Sequence, residues 1–304
     1  MTPAISVQAA SRWFGDVVAV NDITFDLGPG VTGLLGPNGA GKSTLLHMMS
    51  GLLRPSAGEV LLGGVPAWRN PDMYAHLGLV PERDTTYPFL SAWQYTLDSA
   101  RLHQLPDPEA AARAAIEMVD LTEDQHRNMG GYSKGMRQRA KVAAALVHQP
   151  QVLILDEPFN GMDPRQRAHM TEMLRDLGRS GRVIVFSSHI LEDVEHLAED
   201  VLVVLGGRLA ASGDFHQIRR LMTNRPHSFT LRCSDNRLLA RALVDRPEVA
   251  LVAFRDAELE VQTRDFGAFT QAIAPLLSSS GVELYELRPA DASLEDVFSY
   301  LVQR

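Results

Sequence analysis

The chain has 304 residues, and its 45% hydrophobic and 22% charged residues are typical of a globular protein with one or two domains. Its net charge of -8 is spread along the sequence, which excludes strong nonspecific attraction to DNA or to an anionic lipid surface. We therefore expect no nucleic-acid partner. The single cysteine, Cys233, excludes an internal disulfide, and we expect it to be a small buried side chain in a strand.

The apolar segments of the sequence are short. Three of them are Val152–Leu155, Val183–Phe186 and Val201–Leu205, whereas a helix that crosses a bilayer needs about 20 apolar residues. We predict that these segments are buried parallel strands and that any transmembrane pore is formed by another polypeptide. The N-terminal sequence also lacks the basic start and the apolar run of a signal peptide.

In chain order, the first predicted elements are strands at Ile23–Phe25 and Val31–Leu35, then a glycine-rich segment, Gly36–Gly41, and a helix from Lys42 to about Ser50. A helical region follows from about Ser91 to Asp120, and the three apolar strands then alternate with helices. This alternation predicts an α/β core with a largely parallel sheet.

A change of pattern near residues 217–226 predicts a domain boundary, with one domain over residues 1–222 and a second over residues 226–304. We interpret the basic residues Arg219, Arg220 and Arg225 as part of a solvated linker rather than an anion site. The second domain has the predicted order βαββαβ, which is typical of a small α+β domain with a split βαβ unit. Its predicted elements are Phe229–Arg232, Asn236–Val244, Ala250–Phe254, Glu258–Gln262, Phe266–Ser278, Val282–Leu287 and a last helix from Ser293 to Leu301.

A phosphate-binding loop follows the strand at Val31–Leu35. Its glycines allow backbone N–H groups to converge on phosphate oxygens at the N-terminus of the next helix. We expect Lys42 to reach the outer phosphates, Ser43 to ligate Mg²⁺ and Thr44 to donate to an inner phosphate. The full pattern G-x-x-x-x-G-K-[ST] is matched by Gly36, Pro37, Asn38, Gly39, Ala40, Gly41, Lys42 and Ser43.

Two adjacent carboxylates, Asp156 and Glu157, end the apolar strand that begins at Val152. Burying two such groups is costly unless a cation or water lies beside them. The carboxyl ends of parallel strands form the ligand-binding edge of a sheet. We therefore expect Asp156 to hold Mg²⁺, commonly through water, and Glu157 to orient and deprotonate an attacking water molecule.

Three further motifs are Tyr132–Met136 before a predicted helix, Asn160–Asp163 after the two carboxylates, and Ser187–His189 at the end of another apolar strand. With the phosphate-binding loop, they make almost the whole chain resemble the ATP-binding subunit of an ABC transporter. The resemblance implies an α/β fold of the P-loop NTPase ABC cassette type, with a parallel-sheet core and a helical subdomain at about residues 83–131. It also implies ATP and Mg²⁺ as cofactors and ATP hydrolysis as the activity.

The resemblance assigns roles to residues of these motifs. Residues Tyr132–Met136 stand where the family carries its signature sequence, followed by the signature helix. In the family, a serine and a glycine at the start of this helix face the γ-phosphate held by the opposite subunit, which implies this role for Ser133 and Gly135. Two chains would then enclose two ATP molecules. Asp163 corresponds to the loop that links the two sites across the dimer, and His189 corresponds to the switch histidine that contacts the γ-phosphate.

An aromatic residue near the N-terminus and two departures from the family pattern also concern the site. Phe14 resembles the aromatic side chain that stacks on adenine, with neighbouring Trp13 as a competitor and a plain core role as the alternative. Glu82 stands where the family usually has a glutamine that touches Mg²⁺, and its carboxylate can also bind a hard cation. Met136 replaces the usual signature glutamine and removes a polar contact.

The segment that resembles the helical subdomain begins with the aromatic residues Tyr87, Phe89, Trp93 and Tyr95. They are predicted to form either an interface with the membrane subunit or a small local core, and their spacing does not distinguish the two.

The C-terminal extension resembles that of exporter ATPases for drugs, antibiotics, polysaccharides or ions. The resemblance implies an integral-membrane permease as partner, a homodimer or heterodimer of ATP-binding subunits, and a place on the cytoplasmic face of the membrane. Two alternatives remain open, a non-transport ABC ATPase and a regulatory subunit with weak ATPase activity. Single copies of each motif and the absence of sustained heptads disfavour the first, and retention of Lys42, Asp156, Glu157 and His189 disfavours the second.

Overall fold

The structure is a computed structural model that describes residues 4–214, 227–255 and 258–289. The chain divides into two compact units, residues 1–215 and 216–304. The boundary predicted at residues 222–226, the basic cluster beside it and the last helix predicted from Ser293 all lie outside the described residues.

The first unit contains ten strands and six α-helices among its described residues. Its strands are β1 Ile5–Phe14, β2 Val17–Leu27, β3 Gly30–Leu35, β4 Ala57–Leu62, β5 Val65–Pro66, β6 Leu77–Val80, β7 Val152–Asp156, β8 Val183–Ser188, β9 Asp200–Leu205 and β10 Arg208–Asp214. Its helices are α1 Lys42–Met49, α2 Ala92–Leu102, α3 Pro108–Met118, α4 Lys134–Leu146, α5 Pro164–Arg179 and α6 Leu191–Leu197.

The predicted parallel core is confirmed as a six-stranded sheet in the order β10-β9-β3-β8-β7-β6. Strands β9, β3, β8, β7 and β6 are parallel to their neighbours, and only the edge strand β10 is antiparallel. All residues of β3, β7 and β8 are buried, because other elements of the fold cover both faces of the sheet. This explains why these strands are continuous apolar runs in the sequence.

A second sheet was not predicted. It has four strands in the order β2-β1-β4-β5, all antiparallel. Helix α1 contributes Leu45, Leu46, Met48 and Met49 to one hydrophobic core together with residues of both sheets. The helix that follows the phosphate-binding loop is therefore buried on most of its surface, which fixes the loop at its N-terminus.

Helices α2, α3 and α4 pack on one another. The first two lie within residues 83–131, the range that the resemblance implies for the helical subdomain, and α4 is the signature helix that follows this range. Helix α2 begins at a capping box, in which the Ser91 hydroxyl accepts from the Gln94 N–H and the Gln94 side chain accepts from the Ser91 N–H. Helix α3 begins after Asp107, whose carboxylate accepts from Ala110 N–H at 3.0 Å. Among the described residues, no helix is both long and apolar enough to cross a membrane.

The second unit has the predicted order βαββαβ. Its antiparallel sheet has the order β12-β13-β11-β14, so that β13 lies between the two strands joined by the first helix, as in a split βαβ unit. Cys233 in this sheet is only half-buried, and its thiol donates to Asn236 Oδ1 at 3.0 Å, which corrects the expectation of full burial. The elements are β11 His227–Cys233, α7 Asn236–Val244, β12 Val249–Arg255, β13 Glu258–Thr263, α8 Phe266–Ser280 and β14 Leu284–Pro289.

Candidate functional site

One pocket of about 370 Å³ lies at the carboxyl ends of the parallel strands. Strand β3 leads into the phosphate-binding loop, and β7 ends at Asp156. The pocket is lined by Ala19, Asn38, Gly39, Gly41, Lys42, Ser43, Thr44, Glu82, Asp156 and Glu157. Most of the residues that we assigned to phosphates and metal from the sequence therefore face a single cavity, although Ala40 is buried behind it.

The path of the phosphate-binding loop requires glycine at two positions. Gly41 has a φ of +104°, and a Cβ there would lie 2.3 Å from the carbonyl oxygen of Ala19. A Cβ on Gly36 would lie 2.3 Å from the carbonyl oxygen of Val204. A larger residue at either position would push the loop away from the sheets behind it, so the loop shape depends on both glycines.

Lys42 is the buried cation of the pocket. Its side chain is 7% exposed, and Nζ donates to the carbonyl oxygens of Gly36 at 2.6 Å and Pro37 at 3.2 Å. Burial lowers the pKa of Lys42, and the nearby carboxylates of Glu157, Asp156 and Glu82 oppose this shift. The ammonium group is thus held in the loop by neutral acceptors, and an anion entering the loop offers it a stronger partner.

Asp156 and Glu157 are connected through strand β8. The Ser187 hydroxyl donates to Asp156 Oδ1 at 2.5 Å and accepts from the Glu157 N–H at 2.9 Å. Glu157 has a φ of +52°, which is uncommon for a residue other than glycine. The turn after β7 therefore sends the two adjacent carboxylates into the same pocket.

The carboxylate of Glu157 pairs with His189. His189 Nδ1 lies 2.8 Å from Glu157 Oε2, and the exposed fractions of the two side chains are 48% and 10%. Burial raises the pKa of Glu157, while the hydrogen bond from His189 and the charge of Lys42 oppose the rise. This arrangement suits a general base, because a raised pKa increases the proton affinity of the carboxylate.

The signature, Tyr132–Met136, and the loop Asn160–Asp163, which corresponds to the D-loop of the family, do not line this pocket. Ser133 is exposed and caps α4, accepting from the Met136 N–H at 3.1 Å. Gly135 packs so closely on the D-loop that a Cβ would lie 2.7 Å from the carbonyl oxygen of Gly161. Asp163 caps α5 and lines a separate cavity. A single chain therefore does not bring these residues to its own phosphate-binding loop.

Phe14 and Glu82 have exposed positions. Phe14, at the end of β1, is 48% exposed, and the guanidinium of Arg12 lies 4.5 Å from its ring centroid. It is not among the residues that line the pocket, although Ala19 on the adjacent strand β2 is. Glu82 is exposed and lines the pocket together with the phosphate-binding loop and the two carboxylates.

The aromatic segment divides into two parts. Tyr87 and Phe89 are 53% and 70% exposed, and their ring centroids lie 5.8 Å apart. Trp93 and Tyr95 are partly buried, and the ring centroids of Trp93 and His126 lie 5.9 Å apart. The first pair fits a surface role, and the second pair fits the local core of the helical subdomain.

Several contacts around the site could not be assigned from the sequence. Gln138 on α4 is buried, and its side chain reaches the carbonyl oxygen of Glu157 at 3.5 Å. Asp193 on α6 is 5% exposed at its side chain, and it pairs with Arg167 at 2.9 Å and accepts from the Ser188 hydroxyl at 3.3 Å. Burial raises the pKa of Asp193. Nothing in the spacing of these residues indicates their contacts, because each joins different elements.

Comparison with known proteins gives consistent matches. A sequence profile of the ABC transporter family matches residues 20–160. The chain is 37% identical to the linearmycin resistance ATP-binding protein of Bacillus subtilis over 213 residues, which are 69% of this chain and 68% of that protein. It is 31% identical to the Nod factor export ATP-binding protein I of Cupriavidus metallidurans over 311 residues, which cover 100% of this chain and 99% of that protein.

A solved structure agrees with the sequence matches. The ATP-binding subunit of an ABC transporter superposes with a TM-score of 0.65 at 27% identity, and the match covers 72% of this chain and 92% of that chain. Residues 20–160, which the family profile matches, include the phosphate-binding loop and the two carboxylates. The chain belongs to the family of ABC transporter ATP-binding proteins.

Proposed function

We propose that this chain is the ATP-hydrolysing subunit of an ABC transporter and that closure of an ATP-bound dimer powers a membrane permease. The observation that carries the proposal is one pocket that contains the buried ammonium of Lys42, the hydroxyl of Ser43 and the carboxylates of Asp156 and Glu157. A cationic loop at a helix N-terminus suits a triphosphate, and the carboxylates opposite suit its metal and its attacking water.

The residues of the pocket fit a magnesium nucleotide. Ser43, Asp156 and Glu82 all line it, and their oxygens are the hard donors that Mg²⁺ prefers. Bound there, the metal would supply charge neutralisation at the outer phosphates. The ammonium group of Lys42 would exchange the carbonyl oxygens of the loop for phosphate oxygens. The phosphates would be surrounded by backbone N–H groups of the loop and of the helix start, namely those of Asn38, Gly39, Ala40, Gly41, Lys42, Ser43 and Thr44.

Glu157 and His189 are proposed as the catalytic residues. Glu157 accepts the proton of the attacking water, and its raised pKa favours this step. His189 orients the carboxylate through the 2.8 Å contact, and its half-exposed ring leaves the other nitrogen available to a γ-phosphate oxygen. The two residues thus position the water and the phosphate without a covalent intermediate.

We propose that the active form is a dimer of ATP-binding subunits, either identical or different. Ser133 is exposed at the start of α4, away from the pocket of its own chain, and a second chain could receive it at its γ-phosphate. Gly135 and Asp163 follow the same reasoning, because the signature packs on the D-loop and a second chain that met one would also meet the other. Phe14 would stack on adenine at the rim, where its ring is half exposed.

The partner is proposed to be an integral-membrane permease, with this chain held at the cytoplasmic face of the membrane. The exposed pair Tyr87 and Phe89 lies in the helical subdomain and suits such an interface. Export is the favoured direction, since one relative is named for resistance to linearmycin and another for Nod factor export.

The experiment is Mg²⁺-dependent ATP turnover by the full chain, alone and with the permease that copurifies with it from membranes. We expect Lys42→Ala to lose ATP binding, and Glu157→Gln to bind ATP but turn over at least about 100-fold more slowly. Glu123→Gln, an exposed carboxylate outside the pocket, is the matched control and should turn over like the wild type. Unchanged hydrolysis in Glu157→Gln would remove Glu157 as the base.

A further inference from the structure

Ser187 lies on strand β8 at the edge of the parallel sheet that forms the pocket. It belongs to the motif Ser187–His189, in which only His189 has been assigned a role. It is the fifth residue of β8 and is fully buried. Strand β8 lies between β3, which leads to the phosphate-binding loop, and β7, which ends at Asp156. The parallel register pairs Ser187 with Asp156 on one side and with Leu34 on the other.

The hydroxyl of Ser187 makes two hydrogen bonds that use its donor and an acceptor lone pair. It donates to Asp156 Oδ1 at 2.5 Å and accepts from the Glu157 N–H at 2.9 Å. The donor bond occupies one oxygen of the Asp156 carboxylate and so fixes the direction of the other. One buried side chain therefore contacts both acidic residues of the site.

The acceptor bond holds an unusual backbone conformation. At a φ of +52°, the peptide of Glu157 turns away from the line of β7, and its N–H needs a partner outside the sheet ladder. Ser187 supplies that partner. Such a conformation is unfavourable in a residue other than glycine and persists only where the surroundings hold it.

His189 and Ser188, which follow Ser187 in the chain, make different contacts. His189 Nδ1 contacts the carboxylate of Glu157 at 2.8 Å, and the Ser188 hydroxyl donates instead to Asp193 at 3.3 Å. Glu157 is thus held at two points, its backbone by Ser187 and its carboxylate by His189, while Asp156 is held by Ser187.

We propose that Ser187 is a positioning residue that joins the carboxylate of Asp156 to the backbone of Glu157. Asp156, which would hold the metal, and Glu157, which would act as the base, thereby stay at a fixed distance from each other. The inference rests on the proposed function, because it takes the roles of these two acids from it. It follows that loss of the Ser187 hydroxyl weakens metal binding and lowers turnover, whereas the affinity of the phosphate-binding loop for ATP changes little.

The test compares Ser187→Thr with Ser187→Val in the full chain. The two side chains have the same shape and differ in the hydroxyl alone, so any cost of extra volume is common to both. We expect Ser187→Thr to keep turnover within about 3-fold of the wild type, and Ser187→Val to lower kcat about 10- to 100-fold with a KM for ATP within about 3-fold.

A second readout does not require turnover. Binding of Mn²⁺ in the presence of ATP, followed by electron paramagnetic resonance, should be about 10-fold weaker in Ser187→Val than in Ser187→Thr. Ser50→Ala is the control for loss of a buried hydroxyl, since Ser50 is fully buried and donates only to the carbonyl oxygen of His47. It should match the wild type in both measurements.

Equal kcat and equal Mn²⁺ affinity in Ser187→Thr and Ser187→Val would overturn the inference while leaving the proposed function intact. Failure of the proposed function has a different result, namely ATP binding that is the same in the wild type and in Lys42→Ala. If Ser187→Val does not fold, Ser187→Ala, which needs no extra space, is compared with Ser187→Thr under the same expectations.

Discussion

At the scale of single residues, Glu157 is under opposing influences. Burial raises its pKa, and the contact with His189 opposes the rise. A carboxyl whose pKa is raised in the folded state stabilises the fold at pH values below its unfolded pKa, and this contribution is lost as the pH rises through the folded pKa. The ionised form required of a base is therefore maintained at a cost to stability, as at many catalytic sites.

This balance predicts the acid side of the pH profile of turnover. As the pH is lowered, we expect kcat to begin to fall while the pH is still above 4.5, the ordinary pKa of a glutamate, because Glu157 must be ionised to accept a proton. In His189→Ala the residual activity should fall at a still higher pH, since the hydrogen bond that lowers the pKa is gone. The measurement is kcat against pH at saturating Mg-ATP.

The control for this prediction is His196→Ala, which removes an exposed histidine on α6 whose Nδ1 lies 2.7 Å from the carbonyl oxygen of Glu192. Its profile should coincide with that of the wild type. An acid limb that does not move in His189→Ala would contradict the account of the Glu157 carboxylate.

At the scale of elements, the phosphate-binding loop depends on the sheets behind it. Gly41→Ala combines a φ of +104° with a Cβ at 2.3 Å from the carbonyl oxygen of Ala19. We expect a loss of about 3 kcal/mol or more in the free energy of unfolding, together with loss of ATP binding. Gly15→Ala is the matched control, because Gly15 also has a positive φ of +57° but has open space around it. It should lose only about 1 kcal/mol in urea unfolding.

The connection between α5 and α6 gives another prediction. Arg167→Met leaves the Asp193 carboxylate, 5% exposed at its side chain, without its ion pair. We expect the free energy of unfolding to fall by about 2 kcal/mol at neutral pH. This is less than for a fully buried pair, because the side chain of Arg167 is 31% exposed. The loss should shrink in acid, because protonated Asp193 needs no cation, and its pKa is already raised by burial.

Urea unfolding from neutral to acid pH measures this effect. Arg165→Met on the same helix, an exposed position, should change stability by no more than about 0.5 kcal/mol at any pH. A loss in Arg167→Met that stays constant with pH would show that Asp193 is not the group left unpaired.

The sequence predicts some of these elements better than others. Strands β3, β7, β8 and β9 could be predicted because burial on both faces makes them continuous apolar runs. Strands β1 and β2 could not be placed as a separate antiparallel sheet, because several shifts of register break their alternation. The boundaries of α7 were predicted correctly, since Asp235 accepts from two N–H groups of its first turn.

The same limit applies to the site. The residues of the phosphate-binding loop are consecutive in the sequence, and so are the two carboxylates, so each pattern is visible there. The contacts of Ser187 and the pairing of Arg167 with Asp193 depend on which strands and helices are neighbours in space. Such contacts require the register of the sheet, which the sequence pattern does not contain.

At the scale of the whole molecule, the chain consists of two units, and every residue that lines the candidate ATP pocket belongs to the first. A chain shortened to residues 1–215 should therefore bind ATP with a Kd within about 3-fold of that of the full chain. Titration calorimetry of both proteins measures this. A shortened chain that remains folded by circular dichroism but no longer binds ATP would assign the second unit a part in the site.

The central claim is that the loop around Lys42 holds a triphosphate beside Asp156 and Glu157. It is tested most directly by a crystal structure of Glu157→Gln grown with saturating Mg-ATP. We predict ATP with its phosphates surrounded by the amides of residues 38–44, a metal ion near Ser43 and Asp156, and Ser133 of a second chain at the γ-phosphate. A loop without nucleotide under these conditions, or nucleotide bound elsewhere on the chain, would contradict the account.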